Sequence, residues 1–312
     1  MNSNIIMVCG APASGKSTLT KQFVKTGYIS LNRDTEGGTI VGLLPKLESF
    51  LKENKKVVLD NLFPTIEVRK PFIELCKKYN QNIDCIIMST SIEDAQFNFV
   101  QRAMSLIGEF PTPEAIKKAK HTNVFPPTVL FKFRKEFQKP STDEGFTKVE
   151  TFTFKREDDP SFINKALILD YDSTLRDCVG GNGKFPTEID QIKIRPNVST
   201  RVKEFKDKGY LLLGISNQSG VHKGDLSHEK AIELFKHTNK LIGVDIEFRF
   251  CPHQSAPISC YCRKPMPGVG VEFILKHKLD RKQCIMVGDY TSDKTFATRC
   301  GFKYVDQAEF FK

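Results

Sequence analysis

Gly10-Ala-Pro-Ala-Ser-Gly15-Lys16-Ser17 has P-loop spacing, with a short apolar run, IIMVC, before it and a helical pattern, STLTKQFVK, after it. Its glycines let backbone N–H groups wrap nucleotide phosphates at a helix N-terminus. The lysine then reaches the β and γ phosphates, and the serine hydroxyl ligates Mg²⁺. Gly10, Gly15, Lys16, Ser17 and the adjoining Thr18 are the nucleotide-binding candidates.

A P-loop alone does not separate kinase from ATPase. Asn32-Arg33-Asp34 follows the short strand pattern YISL, and Asp60-Asn61 ends KVVLD. Asp34 has the chemistry to accept the proton of an acceptor hydroxyl, and Asp60 to hold a Mg²⁺ water shell or position the acceptor. Spacing fits a helix N-cap equally well for each. The helical stretch DAQFNFVQRAMS carries Arg102, either as a lid residue neutralising a transferring phosphoryl group or as a solvated side chain. Arg69, Lys117, Lys118 and Lys120 carry weaker signals.

A second set of residues begins at Asp170-Tyr-Asp172, at the end of the apolar run ALIL. Asp170 can attack phosphorus to form an aspartyl phosphate, and Asp172 can protonate the leaving oxygen and later activate water. Ser216-Asn217, Cys262-Arg263-Lys264-Pro265 and Gly288-Asp289-Tyr-Thr-Ser-Asp293 follow in order. Ser216 and Asn217 can hydrogen-bond phosphoryl oxygens, and Lys264 can neutralise the nucleophile. Asp289 completes a Mg²⁺ site with Asp170, to which Asp172 and Asp293 are also assigned. Between these segments, Cys251, His253, Cys260 and Cys262 supply three sulfurs and one imidazole, enough to close a structural tetrahedral Zn²⁺ site.

The elements that must hold these residues read as α/β. IIMVC, VVLD and CIIMS are short buried strands separated by amphipathic helical segments, and ALILD, LLLGIS and CIMVGD repeat the rhythm. Two parallel-sheet domains are predicted. The charged stretch KREDDPS divides them, giving residues 1–158 and 162–312.

The 312 residues carry 47 Lys+Arg against 37 Asp+Glu, a net charge of +10, a balance that suits phosphorylated or nucleic-acid ligands. Nine cysteines are too sparse for a disulfide framework. No run approaches the roughly 20 apolar residues of a membrane span. The expected location is intracellular, in nucleus or cytoplasm, and not secreted.

The first half resembles the kinase domain of eukaryotic polynucleotide kinase-phosphatases in GAPASGKST, YISLNRDT, KKVVLDN, SIEDAQFNFVQR and VLFKFRKEFQKPSTDEGF. The resemblance implies ATP and Mg²⁺ at Lys16 and Ser17, Asp34 as general base for a 5′-hydroxyl, and Arg102 as the lid residue. It makes Arg33 and Arg69 phosphate contacts. Leu62 and Phe63 depart from the small polar residues usual there.

The four ordered motifs of the second half resemble the haloacid dehalogenase (HAD) phosphatases, with Ser173 where that family usually has glycine. The cysteine cluster, SNQSG and CRKPMPG narrow this to the branch holding histidinol-phosphate and heptose bisphosphate phosphatases, which use a zinc loop in place of a large cap. Together the resemblances imply a bifunctional enzyme that phosphorylates 5′-hydroxyl ends and removes 3′-phosphates of DNA or RNA, as in repair. The alternatives are a small-molecule kinase-phosphatase, or a phosphatase joined to a non-catalytic nucleotide-binding module.

Overall fold

The computed structural model describes residues 3–180 and 185–312. It contains two five-stranded parallel sheets, as the two strand rhythms predict.

The first sheet comprises β1 (Ile5–Cys9), β2 (Ile29–Leu31), β3 (Val57–Asp60), β4 (Ile83–Met88) and β5 (Lys148–Phe152), in the order β2-β3-β1-β4-β5. Helices α1 (Lys16–Lys25), α2 (Arg33–Glu36), α3 (Leu44–Lys52), α4 (Ile66–Lys78), α5 (Ile92–Ile107), α6 (Pro113–Ala119) and α7 (Pro127–Glu136) belong to this half of the chain. Successive residues of β1 point to opposite faces. Ile5, Met7 and Cys9 pack with Leu59 and Phe72, and Ile6 and Val8 with Leu19, Tyr28 and Met88. Because both faces are covered, the strand is continuously apolar and does not alternate.

The second sheet has the order β10-β9-β6-β11-β12, built from β6 (Ala166–Leu169), β9 (Leu211–Asn217), β10 (Glu247–Cys251), β11 (Ile285–Gly288) and β12 (Lys303–Asp306). A short antiparallel pair, β7 (Arg176–Cys178) with β8 (Ile192–Ile194), follows β6. The helices here are α8 (Val198–Asp207), α9 (Ser219–Lys223), α10 (His228–Ile242), α11 (Gly268–His277), α12 (Thr291–Cys300) and α13 (Gln307–Phe310).

The chain separates into two compact units, Met1–Phe99 with His121–Arg156, and Val100–Lys120 with Glu157–Lys312. The chain therefore passes between the units at 99/100 and 120/121 as well as at 156/157, near the single boundary expected between 158 and 162. Helix α5 is continuous through residue 100, and sequence periodicity sees one helix without showing which unit each half packs in.

Candidate active sites

In the first unit β1 delivers the chain to Gly10. A Cβ there would lie 2.8 Å from Met88 Cβ, so the backbone approach requires glycine. Gly15 starts α1 from φ 91°. Thr90 Oγ1 donates to Ser14 O at 2.7 Å and Asn98 Nδ2 to Ala13 O at 2.9 Å, pinning the loop. Lys16 Nζ donates to the carbonyls of Gly10 (3.0 Å) and Ala11 (2.8 Å). Ser14 Oγ is buried without a partner among the described residues, a polar atom the fold leaves for a ligand. This donor set fits a nucleotide's phosphates, with Lys16 as the charge and the exposed hydroxyls of Ser17 and Thr18 at the loop's edge.

Neither Asp34 nor Asp60 is a helix cap. Asn32 caps α2, its Oδ1 accepting from Asp34 N at 2.7 Å, and Thr65 precedes α4 as its cap residue. Asp34 sits in the first turn of α2, partly exposed and 3.0 Å from Arg33 Nη2. Asp60 is buried at the end of β3, and Asn61 Oδ1 accepts from Arg33 N at 3.1 Å. That bond ties the end of β3 to the start of α2.

One expectation is corrected here. Arg69 is not a phosphate contact: it is fully buried, its Nε and Nη2 donate to both oxygens of Glu144 at 2.7 and 2.8 Å, and its Nη1 to Phe63 O at 3.0 Å. Phe63 is a core residue, edge-on to Phe72 at 5.3 Å, so its departure from the usual residue type supplies packing. Arg102, with Lys117, Lys118 and Lys120, groups with the second unit. Burial raises the pKa of Tyr261 there, and the charge of Arg102 pulls it back.

In the second unit Asp170 stands just beyond β6, with its N–H donating to Val287 O at 3.0 Å. Lys264 Nζ bridges Asp170 Oδ1 and Asp293 Oδ1, the latter at 2.7 Å, and donates to Ile215 O at 3.0 Å. All three charged side chains are almost completely buried. Burial pushes the Asp170 carboxyl up to about 7, against the pull of Lys264. Burial also opposes the charge on Lys264, but Asp170 and Asp293 outweigh it and raise its pKa.

Asp170, Asp289 and Asp293 bring carboxylate oxygens within 4.8 Å of one another, a donor set that fits Mg²⁺. The expected fourth carboxylate, Asp172, is not among them. Its Oδ1 is 2.9 Å from Arg176 Nε and its Oδ2 accepts from Gln218 Nε2 at 2.7 Å. Ser173 takes the left-handed turn at φ 61°, held by Ser173 N to Arg176 O (2.8 Å) and Arg195 Nη1 to Ser173 O (2.7 Å).

Ser216 Oγ accepts from Gln218 Nε2 at 3.0 Å, so its own proton remains to be donated to a phosphoryl oxygen. Asn217 is corrected from a phosphate contact to a clamp on Lys264. Its Nδ2 donates to Lys264 O at 3.0 Å and its Oδ1 accepts from Lys264 N at 2.9 Å. Gln218 and Arg176 escaped the sequence reading. The only signals were the position of Gln218 inside SNQSG and an arginine four residues after Asp172.

Cys251, His253, Cys260 and Cys262 converge as expected, with donor atoms within 4.8 Å of one another. Cys251 Sγ is 3.6 Å from Cys260 Sγ, and His253 Nδ1 is 3.5 Å from Cys251 Sγ and 3.2 Å from Cys262 Sγ. Thiolates about 2.3 Å from a tetrahedral zinc stand roughly 3.8 Å apart, so the cluster fits with little movement. Cys251 O accepts from Gln218 N at 2.8 Å, and Cys262 is two residues from Lys264. The cluster thereby positions both residues.

Comparison with known proteins agrees with both halves. The family model described as "AAA domain" matches residues 5–122, and "Polynucleotide kinase 3 phosphatase" matches residues 165–311. The bifunctional polynucleotide phosphatase/kinase of Schizosaccharomyces pombe is 35% identical over 156 residues, 49% of this chain and 34% of that protein. The chain thus spans about a third of that relative's length. The D-glycero-beta-D-manno-heptose-1,7-bisphosphate 7-phosphatase of Haemophilus influenzae is 34% identical over 140 residues, 42% of this chain and 74% of that protein. A solved Pnkp1/Rnl/Hen1 complex contains a chain that aligns over 97% of this one and 95% of its own length, at 15% identity and a TM-score of 0.35.

Proposed function

The chain belongs, through residues 165–311, to the phosphatase family shared by the polynucleotide kinase 3 phosphatase model and the heptose bisphosphate 7-phosphatases, and from that membership we propose that it heals nucleic-acid ends. It removes 3′-phosphates in its second unit and phosphorylates 5′-hydroxyls with ATP in its first. One observation carries the reading: a P-loop and a buried Asp170–Lys264–Asp293 cluster stand in the same chain. The match to a relative named for both activities supports it.

In the phosphatase step Asp170 attacks phosphorus, the 3′-oxygen leaves, and Asp172 gives that oxygen its proton. Asp172 then takes a proton from the water that attacks the aspartyl phosphate, releasing inorganic phosphate and restoring Asp170. Lys264 holds Asp170 in place, and Ser216 donates to a phosphoryl oxygen. Mg²⁺ bound at Asp170, Asp289 and Asp293 would supply Lewis-acid stabilisation of the phosphoryl charge. Zinc held by Cys251, His253, Cys260 and Cys262 would be structural.

In the kinase step Asp34 accepts the 5′-hydroxyl proton as that oxygen attacks the γ-phosphorus, the bond from the γ-phosphorus to the β,γ-bridging oxygen breaks and ADP leaves, and Lys16 neutralises charge on the phosphates. We assign the chain to a reducing compartment inside the cell, a reading supported by nine cysteines too sparse for a disulfide framework. Whether the nucleic acid is DNA under repair or RNA is decided by the assay below.

The test offers 5′-hydroxyl, 3′-phosphorylated DNA and RNA oligonucleotides beside histidinol phosphate and a heptose bisphosphate. Phosphate should leave the oligonucleotide 3′ end and be lost with Asp170→Asn, and transfer from ATP should be lost with Lys16→Ala. Release from the small phosphates alone would replace the proposal with the second reading, a heptose-type phosphatase, which the coverage of the Haemophilus relative favours.

A further inference from the structure

Helices α8 and α10 border a cavity of about 580 Å³ lined by Lys206, Lys236 and Lys240, with Asn239 and half-buried Phe248 in its wall and Asp245 as its one carboxylate. Lys203 belongs with them: its Nζ lies 3.1 Å from where a Cβ on Gly243, another lining residue, would stand.

Among the described residues none of these four lysines has a carboxylate within 4.0 Å. Their neighbours do: Lys230 on α10 pairs with Glu188 (2.7 Å) and Glu233 (3.1 Å), and Arg201 on α8 with Glu204 (2.6 Å). Lys203 and Lys206 are three residues apart and Lys236 and Lys240 four, spacings at which like charges repel on a helix surface. Both helices end here, so their C-terminal dipoles account for a cation in each last turn, Lys206 and Lys240. They do not account for Lys203 and Lys236, a turn earlier.

Four exposed ammonium groups around an open cavity, with the Asn239 amide already used by Tyr171 Oη and Ile246 O, suit a chain of spaced negative charges better than one enclosed phosphate. Phe248 lies near the start of β10, whereas Cys251, beside the Asp170 site, ends it. The strand separates them by on the order of 10 Å.

We infer that Lys203, Lys206, Lys236 and Lys240 form a second contact for single-stranded nucleic acid, gripping backbone phosphates away from the end being processed. This rests on the nucleic-acid reading of the Asp170 site and adds to it a dependence on substrate length.

The test compares the full chain with its Lys203→Ala, Lys206→Ala, Lys236→Ala, Lys240→Ala variant on a long 3′-phosphorylated single strand, a 3′-phosphorylated dinucleotide and p-nitrophenyl phosphate. For the long strand, Kd should rise at least tenfold, and the slope of log Kd against log salt should fall by about 3, at roughly 0.7 per phosphate contact on single strands. Turnover of the dinucleotide and of p-nitrophenyl phosphate should stay unchanged, which also shows that the variant folds. An unchanged Kd and slope, with the wild type active on the long strand, would overturn the second contact alone. A wild type inert on both oligonucleotides yet active on p-nitrophenyl phosphate would overturn the nucleic-acid reading and this inference with it.

Discussion

Lys264 Nζ lies 2.7 Å from Asp293 Oδ1 while also bridging Asp170, so one ammonium neutralises two buried carboxylates. Replacing Lys264 with Met should abolish phosphatase turnover and destabilise the second unit by about 3–5 kcal/mol, the usual cost of stranding a buried charge. Thermal unfolding and single-turnover kinetics check both. Full turnover in the variant would show that the bridge serves packing alone.

The raised pKa of Asp170 gives a stability signature. A carboxyl at about 7 when folded binds more protons than its unfolded counterpart between about pH 4 and 7, so stability falls as pH rises through that window. For the metal-free chain the loss is at most roughly 4 kcal/mol at 1.36 kcal/mol per pKa unit. Asp170→Asn should flatten this dependence, measured as Tm between pH 5 and 8. Equal slopes for both proteins would refute it.

Arg69 and Glu144 join α4 to the segment after α7 through a buried bidentate pair. Arg69→Ala should lower the stability of the first unit by about 3–5 kcal/mol. Below its melting temperature it should leave the KM for ATP within twofold. A large KM change in folded protein would restore the phosphate-contact reading.

Removing the metal cluster should act at a distance. Cys260→Ser or chelation should release the 251–262 loop, and with it the Cys251 O bond to Gln218 and the placement of Lys264. Phosphatase kcat should fall by tenfold or more while kinase kinetics hold, with the zinc content of the protein before and after followed by metal analysis.

Ser173 already adopts φ 61°, so Ser173→Gly should gain less than about 1 kcal/mol, relief of backbone strain being offset by the greater freedom of glycine in the unfolded chain. Phosphatase activity should be retained. A rate increase above tenfold would mean that serine distorts the turn.

Sequence alone determined the P-loop, the Asp170-x-Asp172 turn and the cysteine cluster, because each is carried by residues close enough along the chain for local backbone geometry to hold their relationship. It also determined the two parallel sheets, since a strand covered on both faces must read as a continuous apolar run. Tertiary structure alone decided how those pieces are held. Asn217 closes on Lys264 across 47 residues, Gln218 on Asp172 across 46, and Arg69 on Glu144 across 75. In parallel sheets neighbouring strands are joined by long crossovers, so side chains at adjacent strand ends meet without any spacing in the sequence to announce it. For the same reason Arg69 and Asn217 carried the right chemistry in the sequence, and only the packing around them decided what that chemistry serves.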